Sequence, residues 1–135
     1  MRDIRFRAKA IGSGRWLYGD LVRTGSQRTE PHIIEDWSAD EDSATSVDEH
    51  TLGMNTGLFD KNHKEIFLGD IIAHNGTVIG HVVDGMRGYC FDVVYDKPTE
   101  TFTWSLHDIV KRLYNNVEIV GNIYDNPELL KEDEQ

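Results

Sequence analysis

The sequence contains few of the features that fix a chain covalently or place it in a membrane. Cys90 is the only cysteine among 135 residues, which excludes an intrachain disulfide and favours a reducing compartment. No apolar run reaches the ~18 to 20 residues that a membrane-spanning helix needs. No charged and then apolar leader follows Met1. We therefore expect a cytoplasmic protein that makes no membrane contact.

The chain also lacks the short motifs that identify many enzymes and metal proteins. It contains no phosphate-binding loop, no dinucleotide-binding fingerprint, no His-Glu-x-x-His pair and no Cys-x-x-Cys pair. The spacing of the six histidines and Cys90 matches no structural zinc site, since such sites use closely paired ligands. We accordingly expect no catalytic residue, no bound metal and no cofactor, and we predict that the chain is not an enzyme.

Acidic residues outnumber basic ones by 24 to 14, for a formal net charge of -10. Residues 1–28 carry seven bases and two acids, a net of +5, whereas residues 29–60 carry nine acids and no base. These two segments can neutralise each other within the fold or between subunits. The negative total argues against general nucleic-acid binding, because attraction to phosphate supplies most non-specific affinity.

Two segments contain too few apolar residues to support folded structure. Residues 38–46 are small, polar and acidic, so burial cannot offset the entropy lost on ordering and we predict a mobile acidic loop. Residues 131–135 form an acidic tail. The remainder, within residues 1–130, is predicted to be a single domain, and no internal repeat is visible.

Short alternating segments and glycine-rich turns dominate the rest of the chain. Residues 4–9 alternate between apolar and basic side chains, as in a half-buried strand. Asn75-Gly76 indicates a β-hairpin, because both residues tolerate positive φ. Residues 106–112 favour a short helical turn, and Asn126-Pro127 predicts a capped, short terminal helix. The pattern predicts a mainly β (β-rich α+β) fold, a small strongly bent β-barrel or SH3-like sheet with a short C-terminal helix.

Three passages resemble the YopX-like proteins of phages and prophages. They are the opening Asp3-Ile4-Arg5-Phe6-Arg7-Ala8 with Trp16-Leu17-Tyr18-Gly19, the central TGLFDKNHKEIFLGDII from Thr56 to Ile72, and the ending VEIVGNIYDNPELL from Val117 to Leu130. Together they span nearly the whole chain in the family's order. The resemblance implies a phage or prophage origin, a mainly β fold and self-association. It implies no catalytic residue, because the family has no established activity.

The residues that carry the resemblance are typical of turns and bulges. The structural signature consists of Gly57, Asp60, Gly69, Asp70, Gly121, Asn122 and Pro127. Gly69-Asp70 predicts a tight turn before a strand, and Gly121-Asn122 predicts a bulge or close contact within one. His63 stands where the family usually has glycine, so we predict a left-handed backbone at this residue.

One surface is a candidate for interaction with a partner. It consists of Arg5, Arg7, Lys9, Trp16 and Tyr18. Bases beside aromatic rings are typical of surfaces that bind single-stranded nucleic acid. The alternative is an ordinary solvated face, or one that pairs with the acidic middle of the chain.

The leading hypothesis is a phage or prophage accessory protein that binds macromolecules in the host cytoplasm and does not catalyse a reaction. One alternative is an acidic decoy, in which residues 29–60 mimic nucleic acid and occupy a host protein. The other is direct nucleic-acid binding through the basic N-terminal strand. We expect a homo-oligomer with a host or phage protein as partner, and nucleic acid is the less favoured partner.

Overall fold

The computed structural model of the chain describes residues 4–24, 30–35, 44–85, 91–113 and 116–131. The predictions for Cys90, for residues 38–43 of the acidic loop and for residues 132–135 of the tail lie outside this part. The chain divides into two compact units, Met1–Asn55 and Thr56–Gln135, and each unit is considered separately.

The first unit is an antiparallel sheet with strand order β4-β3-β2-β1-β5. Its strands are β1 (Phe6–Lys9), β2 (Trp16–Thr24), β3 (Glu30–Ile34), β4 (Ala44–Ser46) and β5 (Gly53–Phe59), the last of which continues into the second unit. A small aliphatic core contains Ala8, Ala10, Leu17, Ile33 and Val47. Because side chains alternate along a strand, burial of Ala8 turns its basic neighbours to the other face. The predicted first strand is confirmed over Phe6–Lys9, but it is not half-buried as expected, because Arg7 on the opposite face is also buried.

The second unit contains a five-stranded antiparallel sheet in the order β10-β9-β8-β7-β11, and β6 is the neighbour of β5. Its elements are β6 (Glu65–Phe67), β7 (Asp70–His74), β8 (Thr77–Asp84), β9 (Phe91–Asp96), β10 (Thr101–Ser105), α1 (Leu106–Arg112), β11 (Glu118–Asn122) and a 3₁₀ turn, Pro127–Leu130. The aliphatic core contains Ile66, Ile72, Val82, Val93, Leu106, Val110 and Val117. Leu106 and Val110 are four residues apart, so one face of α1 lies in this core.

Two turns have the backbone that their residues predict. Asn75 has a φ of 50° and Gly76 a φ of 81°, which are the positive values that the hairpin between β7 and β8 requires. His63 has a φ of 61°, and its N–H donates to the carbonyl of Asp60 at 3.0 Å. The left-handed conformation predicted at His63 is therefore confirmed.

Three details differ from the sequence predictions. Ala44–Ser46, assigned to the acidic loop, form β4, because pairing with β3 satisfies backbone groups in a way that composition does not reveal. Asn126 does not cap the last turn with its side chain; its Oδ1 instead accepts from the N–H of Asn122 at 3.3 Å. The mainly β class is confirmed, but no closed barrel is found in the described part of the chain, so the barrel prediction is not confirmed.

Among the residues that the structure describes, none belongs to a helix long and apolar enough to cross a membrane.

Candidate binding surfaces

The residues of the predicted basic–aromatic surface, apart from Arg5, lie on the paired strands β1 and β2. Arg7 lies opposite Tyr18 and Lys9 lies opposite Trp16. The guanidinium carbon of Arg7 is 4.9 Å from the centroid of the Trp16 ring, and the Lys9 ammonium is 5.5 Å from it. Only 5% of Arg7 is exposed, so its charge is held against an aromatic ring instead of being offered to a ligand.

Arg5 precedes β1 and is exposed, and its backbone is fixed by Asn55. The N–H of Arg5 donates to Asn55 Oδ1 at 3.1 Å, and the N–H of Asn55 donates to the Arg5 carbonyl at 3.0 Å. The predicted surface therefore has one exposed base at its end and, at its centre, a cation–π cluster in which Arg7 is buried and Lys9 and Trp16 are partly exposed.

Several acids of the middle segment already have partners within the first unit. Arg15 pairs with Glu35 at 3.8 Å, and Arg23 pairs with Glu49 at 2.9 Å. Asp48 accepts from the N–H of His50 at 3.0 Å, at the start of a 3₁₀ turn. The basic head and the acidic middle thus neutralise each other in part within one chain.

Asp60 is a buried carboxylate whose two oxygens both accept backbone hydrogen bonds. Its Oδ1 accepts from the N–H groups of Asn62 and Lys64, each at 2.9 Å. Its Oδ2 accepts from the N–H of Ile119 at 3.1 Å. This signature residue therefore joins the turn after β5 to β11, and its role is structural.

The other signature residues shape turns near β7 and β11. Gly69 has a φ of 94°, and its N–H donates to the Val82 carbonyl at 2.9 Å. The carboxylate of Asp70 accepts from the N–H of Phe67 at 2.7 Å. Asn122 Oδ1 accepts from the N–H groups of the two residues Tyr124 and Asp125. Gly57 has a φ of 78°, and Pro127 begins the final 3₁₀ turn.

The second unit carries a surface that the sequence analysis missed, which we call the aromatic groove. It is a concavity of about 300 Å³ lined by Thr77, Val78, Ile79, Tyr95, Lys97, Phe102 and Trp104. The rings of Phe102 and Trp104 are stacked, with centroids 5.8 Å apart and planes within 7°. The Lys97 ammonium lies 5.5 Å from the centroid of Phe102 and 5.9 Å from that of Tyr95.

Strand register explains how the aromatic groove forms. Phe102 lies opposite Tyr95 across β9 and β10, and Trp104 follows on the same face, because side chains alternate along a strand. Trp104 remains 42% exposed. In the sequence, the alternation of Phe102 and Trp104 was the signal that could have indicated this groove. The same pattern also predicts an ordinary strand that faces a core.

The described residues contain no group of three or more His, Cys, Asp or Glu side chains that could hold a metal. His74 forms a hydrogen bond with the Asn116 carbonyl at 2.8 Å through Nδ1. His81 lies in β8, and burial lowers its pKa below the ordinary value of 6.5, an effect that Asp96 and a backbone hydrogen bond with Val94 oppose. Both histidines thus lie in the sheet of the second unit.

The chain is similar to one protein family and, in its fold, to a solved structure. The family model described as YopX protein matches residues 5–131. The crystal structure of protein EF1440 from Enterococcus faecalis is similar, with a TM-score of 0.50 and 23% sequence identity over 97% of this chain and 100% of that chain. At this identity the likeness concerns the fold alone. No curated protein matches the chain.

Proposed function

The chain belongs to the YopX protein family, and we propose that it acts by binding a macromolecule and not by catalysing a reaction. The family match confirms the resemblance drawn from the sequence. The observation that carries the proposal is the aromatic groove of the second unit. We also propose, from the resemblance, a phage or prophage accessory role in the cytoplasm of the host cell.

The stacked rings of Phe102, which is partly exposed, and Trp104, which is exposed, favour binding because a partner can bury them. Phe102 and Trp104 each have a large apolar surface, and contact with another molecule would remove more of it from water. The groove is concave and contains one charged side chain, Lys97. Aromatic residues are enriched at protein interfaces and in ligand sites for the same reason.

The two alternative functions receive less support from the geometry. Direct nucleic-acid binding through the N-terminal strand would need Arg7 at the surface, yet only 5% of it is exposed. An acidic decoy would need carboxylates displayed to a host protein. Among the acids of this segment that the structure describes, Asp60 is buried and accepts hydrogen bonds from backbone N–H groups, whereas Glu35 and Glu49 are exposed but each pair with an arginine. In the aromatic groove, by contrast, Trp104 stays 42% exposed.

Site-specific photo-crosslinking in cells would test the proposed function. A photo-crosslinking amino acid would be introduced at Thr77, on the rim of the groove, and at Asn62, in an exposed turn, as the matched control. We expect a discrete adduct from position 77 that is absent from position 62 and is lost when Trp104→Ala is added. Equal adducts at both positions, or none at position 77, would contradict binding through the groove.

A further inference from the structure

We propose that the outer edge of β10, together with the aromatic groove, binds an extended and positively charged peptide segment of a partner protein by strand addition. This inference rests on the proposed function and names the class of partner. Strand addition combines backbone hydrogen bonds at a sheet edge with pockets for alternate side chains.

The backbone of β10 is available for pairing on its outer side. β10 is the last strand of its sheet, with no strand beyond it among the residues that the structure describes. Lys97 and Glu100 exchange backbone hydrogen bonds at 2.8 and 3.3 Å. Because bonded and non-bonded pairs alternate in an antiparallel ladder, Thr101 and Thr103 occupy non-bonded positions. Their N–H and C=O groups therefore point outward.

The residues of β10 themselves contain none of the charges, prolines or bulges that commonly block an edge strand. Natural edge strands are commonly blocked by charged side chains, proline or a bulge. Residues Thr101–Ser105 read Thr-Phe-Thr-Trp-Ser, with no charge and no proline. Their register with β9 runs without a shift. A further strand can therefore align along β10 on the side away from β9.

The side chains of an added strand would meet the aromatic groove. On the groove face of the sheet, alternate side chains of the new strand would lie beside Phe102 and Trp104, at the spacing of cross-strand neighbours. Trp104 is 42% exposed, so an apolar or aromatic side chain would find a surface there. Backbone pairing and ring contacts would thus act together.

Charge selects the kind of strand that binds. Asp96, Glu100 and Asp108 are exposed acids near the two ends of β10, and the whole chain carries a charge of -10. The Lys97 ammonium already lies over aromatic rings. A single-stranded nucleic acid would bring phosphates to these carboxylates, and a second copy would bring the same acids. A segment containing lysine or arginine has the complementary charge.

Peptide binding to the full-length chain would test the inference. The probe is a fluorescent peptide of about eight residues, the length of a long strand, in which lysine alternates with valine and phenylalanine. Thr103→Pro removes an outward N–H without removing a bond to β9, whereas Thr103→Val keeps the N–H and the size. By fluorescence anisotropy, we expect Thr103→Pro to weaken binding about tenfold or more and Thr103→Val less than about twofold.

A second pair of variants keeps the test decisive if Thr103→Pro does not fold. Trp104→Ala should also weaken binding about tenfold, and Trp104→Phe should restore most of it. Circular dichroism would report the fold of each variant. A control peptide with glutamate in place of lysine should bind at least about tenfold more weakly than the lysine peptide.

Several results would overturn the inference. The first is that the lysine and glutamate peptides bind equally well, and the second is that the Thr103→Pro and Trp104→Ala variants bind the lysine peptide as tightly as wild type. The third is that single-stranded oligothymidylate binds more tightly than the lysine peptide. The fourth is that the free chain forms a dimer which Thr103→Pro dissociates. If position 77 gives its specific adduct while the lysine peptide does not bind, this inference alone fails. If position 77 gives no adduct, the proposed function fails as well.

Discussion

Asp60 shows how one buried carboxylate can hold a turn and a distant strand together. Its oxygens accept from Asn62 and Lys64 in the turn and from Ile119 in β11. Asp60→Asn would place an amide donor where an oxygen now accepts. A buried donor or acceptor without a partner costs about 1 to 3 kcal/mol, so we expect a loss of about 2 kcal/mol in the free energy of unfolding.

Urea denaturation of the Asp60→Asn variant would measure this loss. Asp84→Asn is the matched control, because Asp84 is an exposed acid in β8 and its change should stay within about 0.5 kcal/mol. Similar losses for the two variants would show that the hydrogen bonds of Asp60 contribute little to stability.

His63 adopts a backbone conformation that glycine would adopt more easily. Its φ of 61° costs a residue with a Cβ atom about 1 kcal/mol relative to glycine. We expect His63→Gly to raise the denaturation midpoint by a corresponding amount. His63→Ala retains the Cβ atom and should bring no such gain, which separates the backbone effect from any contact of the imidazole. A stability loss on His63→Gly would contradict the prediction.

His81 should make the stability of the second unit depend on pH. Burial lowers its pKa below 6.5, with Asp96 and Val94 opposing the shift, and its Nδ1 is buried without a hydrogen-bond partner among the described residues. The unfolded chain therefore binds the proton more tightly than the folded chain. The contribution of the neutral, buried His81 ring to stability is complete above pH 6.5. It is lost as the pH falls from 6.5 to the folded-state pKa of His81.

An NMR titration of the His81 ring and the denaturation midpoint of His81→Gln would check this dependence. Below pH 6.5 the denaturation midpoint of wild type should fall, and that of His81→Gln should fall less. His107 is exposed, so His107→Gln serves as the control substitution. A folded-state pKa of His81 at or above 6.5 would refute the assignment.

At the scale of elements, Gly80 in β8 lies close to the backbone of β9. Its φ is 141°, and an added Cβ atom would lie 2.5 Å from the carbonyl oxygen of Val94, which belongs to the backbone. At Gly121 the added atom would meet Oδ1 of Asn126, also at 2.5 Å, but this side chain can rotate away. We expect Gly80→Ala to cost about 2 kcal/mol or more, because backbone strain adds to the clash.

The comparison with Gly121→Ala makes the prediction for Gly80 specific. Gly121→Ala should cost about 1 kcal/mol, the value of the hydrogen bond that Asn126 would lose. Chemical denaturation of both variants would measure the difference. If Gly121→Ala proved the more damaging, the account of β8 and β9 would be wrong.

Elements with a strong local signal could be predicted from the sequence. The first strand, the Asn75-Gly76 turn and the helical turn over residues 106–112 each depend on neighbours within a few positions, and each is found, although the first strand is limited to Phe6–Lys9. The strand order and the missing barrel closure depend on contacts between distant segments. β4 was missed for the same reason, since its pairing with β3 and not its composition makes it a strand.

The candidate site was less predictable than the fold. Arg7 and Lys9 were correctly placed beside Trp16, but the burial of Arg7 depends on how neighbouring strands cover it. Phe102 and Trp104 alternate like residues that face a core, and only the packing of the second unit leaves Trp104 exposed. Periodicity identifies a face of a strand, whereas burial depends on what covers that face.

At the scale of the whole molecule, the segregated charges contribute less to contacts between subunits than their distribution along the sequence indicates. Arg15 with Glu35 and Arg23 with Glu49 pair within one chain, and such exposed pairs contribute at most about 1 kcal/mol each. Apolar surface is then the stronger basis for self-association.

The interpretation of residues 1–130 as a single domain stays a prediction. Coincident unfolding transitions of the two units would support it.

We expect the chain to form a homo-oligomer through apolar residues of the first unit. Ile11 is 65% exposed, and Ile4 and Tyr18 are also exposed. Burying such side chains between subunits would remove apolar surface from water. Light scattering over a range of protein concentrations should give a mass above that of a monomer. Ile11→Asp should lower this mass, because the interface would have to bury a carboxylate. Thr103→Pro, at the edge of β10, should leave it unchanged. A monomeric mass for the wild-type chain at every concentration would contradict self-association.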